Sequence, residues 1–343
     1  MCFAHLCLLA QRCFCTRKYL SRWQISSMRQ YLCLFHGDQA LVTFSRNEIV
    51  AMLDKHGLAP RRAFGQNFVV DANMVRKIAR LADVGAGDFV LEIGAGLGSL
   101  TLALAETGAN VVAVEIDNGL VEVLRSNTKQ LANVEVIHAD ALQLDWQSLL
   151  AKSMHWHVVA NLPYNIATII VADLLDGIAE VKHMLVMVQS EVGDRLVARA
   201  GTEAYGAVSV KVDYWSHSKI VGQVPPSVFF PQPRVESSLV EIRRRNTPGV
   251  EGVVAKELFS LVRAGFAKRR KMLRRALDMI TTPEDFVKAD VNPESRAEQL
   301  DLAAWGRLRR AIDARLSTAT IVARDSTAPS ALGTSADHST PSD

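Results

Sequence analysis

The sequence has no cysteine after Cys33, although its first 33 residues contain five. A fold held together by disulfide bonds is therefore excluded for the rest of the chain. The protein is expected to reside in a reducing compartment. The pair Cys13 and Cys15 lacks the usual spacing of a zinc site, and no second pair matches it. We therefore expect no metal.

Long apolar runs are also missing. No stretch of about 18 consecutive apolar residues occurs, so the sequence predicts no membrane span. The 343 residues are 49% hydrophobic and 22% charged, which is ordinary for a globular protein with a sizeable core. The length suffices for one large and one small domain.

Acidic residues are scarce in two segments. Residues 1–37 contain five Lys or Arg and no acid, and residues 243–275 contain eleven Lys or Arg against Glu251 and Glu257. A basic stripe on a nearly neutral body predicts a localised site for a polyanion.

The two ends of the chain differ from its middle. Residues 1–45 are basic and acid-poor, which fits either a mitochondrial-type transit peptide or an upstream start, since Met28 and Met52 are alternative initiators. The second interpretation is favoured, so we expect a cytoplasmic protein, with a mitochondrial one as the alternative. Residues 317–343 are rich in Ser, Thr, Ala, Pro and Asp, which predicts a disordered tail.

Between these ends, predicted strands alternate with predicted helices. This alternation predicts an α/β fold with a mostly parallel, doubly wound sheet, which binds its ligand at the carboxyl ends of the strands. The predicted strands are 89–93, 110–115, 135–138, 157–160 and 184–189, and the predicted helices include 74–82, 98–107 and 118–127.

Three of the predicted strands end in residues suited to a nucleoside. Gly94, Gly96 and Gly98 follow the first, where glycine permits close approach of the backbone to a ligand. Glu115 ends the next strand and can accept hydrogen bonds from ribose hydroxyls. Asp140 follows the third and either accepts from an adenine amine or caps the next turn. The spacing Gly-x-Gly-x-Gly differs from the Gly-x-Gly-x-x-Gly of dinucleotide sites, which remain an alternative.

A fourth strand ends in Asn161, Leu162, Pro163 and Tyr164. An aromatic amine is a poor nucleophile because its lone pair is delocalised into the ring. The Asn161 side-chain oxygen and the Leu162 carbonyl can accept its two N–H groups and turn the lone pair towards a methyl donor. Pro163 stiffens the turn, and Tyr164 can stack on a base. By themselves these residues indicate methylation of an amino group in DNA, RNA or a protein amide.

In these and further motifs the chain resembles the ribosomal small-subunit RNA adenine N6,N6-dimethyltransferases of the KsgA group over about residues 50–315. The resemblance implies a Rossmann-like class I methyltransferase domain (46–245) and a small helical RNA-binding domain (246–316). It also implies S-adenosyl-L-methionine as cofactor. The further motifs are 64–68, 189–192, 204–206, 224–237 and 264–274.

The resemblance also implies roles for residues. Phe229 matches a second aromatic placed against the target base, and the adjacent Phe230 is ranked lower. Val69 replaces a commoner leucine and is expected to contact the cofactor through its backbone. The implied cofactor contacts are Asn67, Val69, Gly94, Gly96, Glu115, Asp140 and Asn161, and the implied catalytic residues are Asn161, Leu162, Pro163, Tyr164 and Phe229.

The basic stripe predicts an amphipathic helix over 257–277 whose polar side lacks acids beyond Glu257. Such a side favours contacts with phosphates, which position RNA without reading its sequence. We expect a monomer that acts on small-subunit RNA, or on a precursor particle of the small subunit, at two adjacent adenines. The predicted RNA-binding residues are Arg263, Lys268, Arg270, Lys271, Arg274 and Arg275.

Three alternatives stay open. A resistance-type methylase of large-subunit RNA shares most motifs, although the basic segment 268–275 and the Val-Pro-Pro-Ser lead-in at 224–227 favour the small-subunit enzyme. A DNA adenine methylase commonly carries proline where Leu162 stands. A non-catalytic RNA-binding or transcription factor derived from the same fold would not need intact cofactor motifs.

Overall fold

The computed structural model describes residues 43–61 and 64–326. The predicted N-terminal extension lies outside the described residues up to Val42, as does the tail after Ser326. The helices are α1 (Arg46–Lys55), α2 (Ala72–Ala82), α3 (Ser99–Glu106), α4 (Asn118–Thr128), α5 (Trp146–Leu150), α6 (Ala167–Gly177), α7 (Ser190–Val197), α8 (Ala207–Trp215), α9 (Ala255–Ala267), α10 (Leu273–Ala276), α11 (Pro283–Ala289) and α12 (Leu302–Ser326). The strands are β1 (Phe68–Val69), β2 (Phe89–Ile93), β3 (Asn110–Glu115), β4 (Val134–His138), β5 (Trp156–Asn161), β6 (Val181–Gln189), β7 (Ser216–Val224), β8 (Phe229–Phe230) and β9 (Ser237–Arg244).

Seven strands form one sheet in the order β4-β3-β2-β5-β6-β9-β7. The first five in this order are mutually parallel, and β9 is antiparallel to both β6 and β7. The chain adds β3 and β4 on one side of β2 and then β5 and β6 on the other. Open α/β sheets bind ligands at such a reversal, outside the carboxyl ends of the strands. The predicted α/β fold with a mostly parallel sheet is confirmed.

The inner parallel strands β2, β3, β5 and β6 are buried on both faces, which explains their nearly continuous apolar sequences, whereas the edge strand β4 is only partly buried. On one face, α6 packs Ile170, Val171 and Leu174 against the strands. On the other, Leu124 of α4 packs against Ala113 of β3. Because helices pack on both faces of the sheet, the ends of the strands and the residues that follow them are held in fixed positions.

A two-stranded ribbon lies beside the sheet. Strand β1 pairs antiparallel with β8, so that Val69 faces Phe229 and Phe68 faces Phe230. Helix α1 packs Ile49 and Leu53 against Phe68. The ribbon therefore joins the segment before α2 to the segment that leads into β9.

The C-terminal helices have a core of their own, built around Trp305 and Leu308 of α12. Tyr205 and Tyr214 join this core, and Tyr214 lies on α8, which runs into β7. The helices therefore dock on the last part of the preceding α/β fold.

The predicted helix over 257–277 is wrong in its second half. Helix α9 ends at Ala267, and α10 covers only Leu273–Ala276. Between them the chain turns at Lys268 and then pairs Met272 with Arg296. The backbone N–H groups of Leu273 and Arg274 donate to the carbonyls of Ser295 and Pro293. These tertiary hydrogen bonds replace the helical ones, and no local sequence signal marks the break.

The predicted tail boundary at 317 falls inside a helix. Helix α12 continues to Ser326, well past that boundary. The residues from 317 to 326 include Ala and Arg, which favour helix, and the next proline is Pro329. The helix can therefore extend beyond the part of it that packs on the core.

A polar row crosses one face of the sheet from β5 to β7. The Nδ1 atoms of His157 and His183 lie 3.3 Å apart, and His183 Nε2 lies 3.3 Å from Glu241. Arg243 and Lys219 both form ion pairs with Glu241. Burial, Arg243 and His157 together lower the pKa of His183 to about 4. Burial alone would raise the pKa of Glu241, but hydrogen bonds from Arg243 and Lys219 lower it to about 2.

We expect the contribution of His183 to the free energy of unfolding to fall steadily as the pH drops from 6.5 towards 4, while the buried Glu92, whose pKa is raised to about 8, contributes in the opposite sense. In that window the unfolded chain protonates His183 and the native protein does not, so stability is present above the ordinary pKa of 6.5 and is lost in acid. The expected loss is about 3 kcal/mol. Urea unfolding at several pH values measures it. His183→Gln should differ from the parent protein in this slope and the exposed His155→Gln should not; equal slopes for both variants would contradict this assignment.

Candidate active site

A cleft of about 890 Å³ opens at the carboxyl edge of β2, β3, β4 and β5. The residues that follow these four strands meet there, as expected for a parallel sheet. Of the predicted cofactor residues, all seven line the cleft: Asn67, Val69, Gly94, Gly96, Glu115, Asp140 and Asn161. Pro163 lines it as well.

The glycine loop after β2 forms the floor of the cleft. Gly94 has φ 75° and Gly96 has φ 60°, which are left-handed conformations that favour glycine. A Cβ on Gly96 would lie 3.2 Å from the Phe68 ring, so a side chain there would crowd β1. The N–H of Gly94 donates to the Val114 carbonyl, which ties the loop to β3.

Glu115 is the buried carboxylate of the cleft. It accepts from the backbone N–H of Gly96 on Oε2 (2.8 Å) and from those of Ile116 and Asp117 on Oε1 (3.0 Å each). Burial raises its pKa, against the effect of the three N–H donors. Each ionised carboxylate oxygen has about two acceptor positions, so capacity is left for a ligand hydroxyl.

Asp140 caps a turn at the wall of the cleft. Its carboxylate accepts from the Leu142 N–H (2.9 Å) and from Gln143 Nε2 (3.1 Å), so it caps the turn after β4. It also lines the cleft. The cap fixes the carboxylate at the cleft wall without using all of its acceptor positions.

Asn161, the last residue of β5, has an oriented side-chain amide. Its Nδ2 donates to the Asn67 carbonyl at 2.9 Å. This leaves Oδ1 as the free acceptor. The Leu162 N–H donates to Met187, and among the residues that the structure describes none donates to the Leu162 carbonyl. Two acceptors without a donor in the described structure therefore lie on adjacent residues, of which Asn161 lines the cleft and the buried Leu162 does not.

Neither Tyr164 nor Phe229 is among the residues that line the cleft. Tyr164 is half-buried, and its hydroxyl is 2.7 Å from that of Ser237. Phe229 is buried in β8, where it pairs with Val69 of β1. Val69 in turn lines the cleft. Phe230 packs with α1 instead, and the Arg46 guanidinium lies 5.1 Å from its ring centre.

One residue that lines the cleft, Glu92, and one that supports the cleft without lining it, Asp117, were missed at the sequence level. Glu92 is 2% exposed, and burial raises its pKa to about 8 while a hydrogen bond from the Thr101 hydroxyl (2.6 Å) opposes the shift. Asp117 accepts from Gln66 Nε2 (3.0 Å) and lies 3.4 Å from Arg61, so it holds the segment before β1 over the cleft. Glu92 could have been identified from the sequence, because a glutamate inside an apolar strand is unusual. No local feature of the sequence reveals the contacts of Asp117.

The basic segment is partly neutralised by acids from outside it. Lys268 pairs with Asp278 at 3.6 Å, and Arg274 with Glu294 at 3.4 Å. The expectation that this surface lacks acids is therefore wrong, because the turn after α9 brings distant acids beside it. Within the described part of the chain, the predicted RNA-binding cations without an ion pair are Arg263, Arg270, Lys271 and Arg275, all exposed.

Two negative findings hold for residues 43–61 and 64–326. No cluster of three or more His, Cys, Asp or Glu side chains is arranged to bind a metal ion there. In the same part of the chain, helices long and apolar enough to span a membrane do not occur.

The strand order, the glycine loop and the acidic residues at the strand ends define a Rossmann-like class I methyltransferase fold. A family model described as ribosomal RNA adenine dimethylase matches residues 57–313. The chain therefore belongs to the ribosomal RNA adenine dimethylase family, a family of methyltransferases.

Curated relatives agree with this family. The chain is 43% identical over 275 residues to a ribosomal RNA small subunit methyltransferase A of Cutibacterium acnes, covering 76% of this chain and 90% of the relative. It is 38% identical over 275 residues to the protein of the same name from Enterococcus faecalis, covering 76% and 93%. The predicted family is thus confirmed.

Solved structures share the fold. The 23S rRNA methyltransferase ErmE is 25% identical with a TM-score of 0.58, over 72% of this chain and all of its own. A dimethyladenosine transferase from Plasmodium falciparum is 23% identical with a TM-score of 0.62, over 71% and 97%.

Proposed function

We propose that this protein uses S-adenosyl-L-methionine to dimethylate the N6 amine of adenines, two adjacent ones, in small-subunit ribosomal RNA. The observation that carries the proposal is the pair of acceptors at the end of β5, the Asn161 Oδ1 and the Leu162 carbonyl. The names of the relatives support small-subunit RNA as the substrate. A cytoplasmic monomer acting on a precursor particle fits this role.

The cleft fits an adenosyl cofactor. A buried carboxylate that accepts from the N–H of a glycine loop, where the backbone can approach a ligand closely, suits a ribose and its neighbouring atoms. In this proposal Glu115 accepts from ribose hydroxyls and Asp140 from the adenine amine. Asn67, Val69, Gly94 and Gly96 contact the cofactor through their backbones, and Asn161 borders it. When bound, the cofactor supplies an activated methyl group on a sulfonium.

The residues of the chain then position the amine. Asn161 Oδ1 and the Leu162 carbonyl accept the two N6–H groups, which turns the nitrogen lone pair towards the methyl group. Pro163 keeps the turn rigid, while Tyr164 stacks on the base and Phe229 contacts it from the ribbon. Transfer is direct, and the proton that N6 loses passes to solvent. Catalysis comes from proximity and orientation rather than from a general base. After the first transfer, one N–H remains for an acceptor to hold.

Methyl incorporation tests the function. The purified protein is given methyl-labelled cofactor with immature small subunits, large subunits or duplex DNA, and the nucleosides are analysed by mass. N6,N6-dimethyladenosine is expected in the small-subunit RNA alone. Label in large subunits or DNA would replace the proposal by the corresponding alternative, and no label anywhere would support a non-catalytic factor.

The unpaired cations of the turn between α9 and α10 give a separate prediction. Replacing both Arg270 and Lys271 with Ala should lower affinity for small-subunit RNA about tenfold and reduce the slope of log K against log salt by roughly 1.5. The reason is that both side chains are exposed and free of ion pairs in the described structure. Filter binding between 50 and 200 mM salt, the range in which such slopes are commonly read, measures both quantities.

A charge-matched control separates local contact from net charge. Arg125→Ala with Lys129→Ala removes two exposed cations near the end of α4, which packs on β3 and β4 at the other edge of the sheet. This control should leave the salt slope unchanged. Equal losses of RNA affinity in both double variants would show that binding depends only on the net charge of the protein.

A further inference from the structure

Ser237 holds the hydroxyl of Tyr164 from a fixed position. The two oxygen atoms share a hydrogen bond of 2.7 Å. Ser237 is fully buried and begins β9, where its backbone pairs with Gln189 of β6 and with Val224 of β7. Because strands hold it on both sides, its hydroxyl has little freedom to follow the tyrosine.

Tyr164 has no comparable support of its own. Its backbone lies in the turn after Pro163, outside the sheet. Among the described residues, no aromatic ring packs against its half-buried ring, so the ring has no stacking partner within the described part of the protein. The hydrogen bond at the hydroxyl end restricts rotation about its two side-chain torsions.

We propose that Ser237 is a positioning residue for methyl transfer, which anchors the Tyr164 hydroxyl so that the ring is preset for stacking on the target adenine. This inference rests on the proposed function, in which Tyr164 stacks on the base. It assigns to β9 a part in the reaction, although no atom of Ser237 touches the reacting groups.

The chemistry of the pair suits an anchor rather than a base. Burial raises the pKa of Tyr164, so its hydroxyl keeps its proton at neutral pH. A neutral hydroxyl can share a hydrogen bond with serine throughout the working range. Stacking on a base uses the face of the ring and leaves the hydroxyl bond intact.

The neighbouring serine provides a matched control. Ser238 is also buried, but its hydroxyl donates to the Gln223 side-chain oxygen (2.9 Å) and lies 3.2 Å from the Ser190 hydroxyl, from which it can accept. Successive residues of a strand point to opposite faces, which explains why only Ser237 reaches Tyr164. Ser238→Ala therefore removes a buried hydroxyl from the same strand without changing the anchor.

The test is a double-mutant cycle on the rate of a single methyl transfer. Tyr164→Phe and Ser237→Ala should each slow transfer roughly fivefold, the equivalent of one hydrogen bond, and the variant with both changes should be no slower than either. The KM for RNA and the affinity for S-adenosylhomocysteine should change less than about twofold, and Ser238→Ala should transfer at the normal rate. With 2-aminopurine at the methylated position, both single variants should quench its fluorescence less than the parent protein.

Other outcomes are equally decisive. Effects of Tyr164→Phe and Ser237→Ala that multiply, or a normal rate in Ser237→Ala, would overturn the anchor. So would unchanged quenching in both variants. Failure of the proposed function itself looks different, because the parent protein would then form no dimethyladenosine at all.

Discussion

Asn161→Ala is expected to lower the rate of methyl transfer about a thousandfold while binding of S-adenosylhomocysteine stays measurable, though weakened. The alanine removes the Oδ1 acceptor for N6–H and frees the Asn67 carbonyl, to which the Asn161 amide donates at 2.9 Å. The Leu162 carbonyl alone cannot hold both hydrogens of the amine. Rapid-quench measurement of one turnover and calorimetric titration separate the two effects.

Asn133→Ala is the control for this variant. The Asn133 amide also donates to backbone carbonyls, those of Ala105 (2.9 Å) and Ala109 (2.8 Å), but it does not line the cleft. Its loss should cost stability without changing the rate of transfer. Dimethylation retained in Asn161→Ala would refute the assignment of the acceptor.

The strand ends were predictable because the local pattern and the fold agree there. Alternating strands and helices specify a parallel sheet, and a parallel sheet brings all its carboxyl ends to one edge. Gly94, Glu115, Asp140 and Asn161 therefore meet in one cleft, as the sequence predicts. Their roles there are still proposals, which the variants described here test.

Contacts between distant segments were not predictable in the same way. The turn at Lys268 depends on the carbonyls of Pro293 and Ser295, which no periodicity within 257–277 can reveal. The pairing of Lys268 with Asp278 follows from that turn. The bond between Tyr164 and Ser237 joins residues 73 positions apart, and only the assembled sheet brings them together. Which polar groups are buried, and which of them pair with one another, therefore depends on the tertiary structure and not on the local sequence.

Glu115→Gln is expected to weaken binding of S-adenosylhomocysteine about a hundredfold. The carboxylate accepts at both of its oxygens, from Gly96 on one and from Ile116 and Asp117 on the other. A glutamine of nearly the same shape has an NH₂ group in one of these places, which faces an N–H donor instead of accepting from it. The glycine loop or the turn after β3 must then shift, and the ribose loses its charged acceptor.

The pH dependence of binding distinguishes a ligand contact from a structural tie. Only the ionised carboxylate of Glu115 accepts hydrogen bonds at both of its oxygens without donating one. Binding of S-adenosylhomocysteine to the parent protein should therefore weaken as the pH falls through the pKa of Glu115. Burial raises that pKa, so the weakening should begin above the ordinary value of 4.5. Glu115→Gln should bind independently of pH in this window, whereas Glu122→Gln, which changes an exposed glutamate of α4, should behave like the parent. A lowered melting temperature with unchanged affinity in Glu115→Gln would mean that Glu115 only ties the loop to β3.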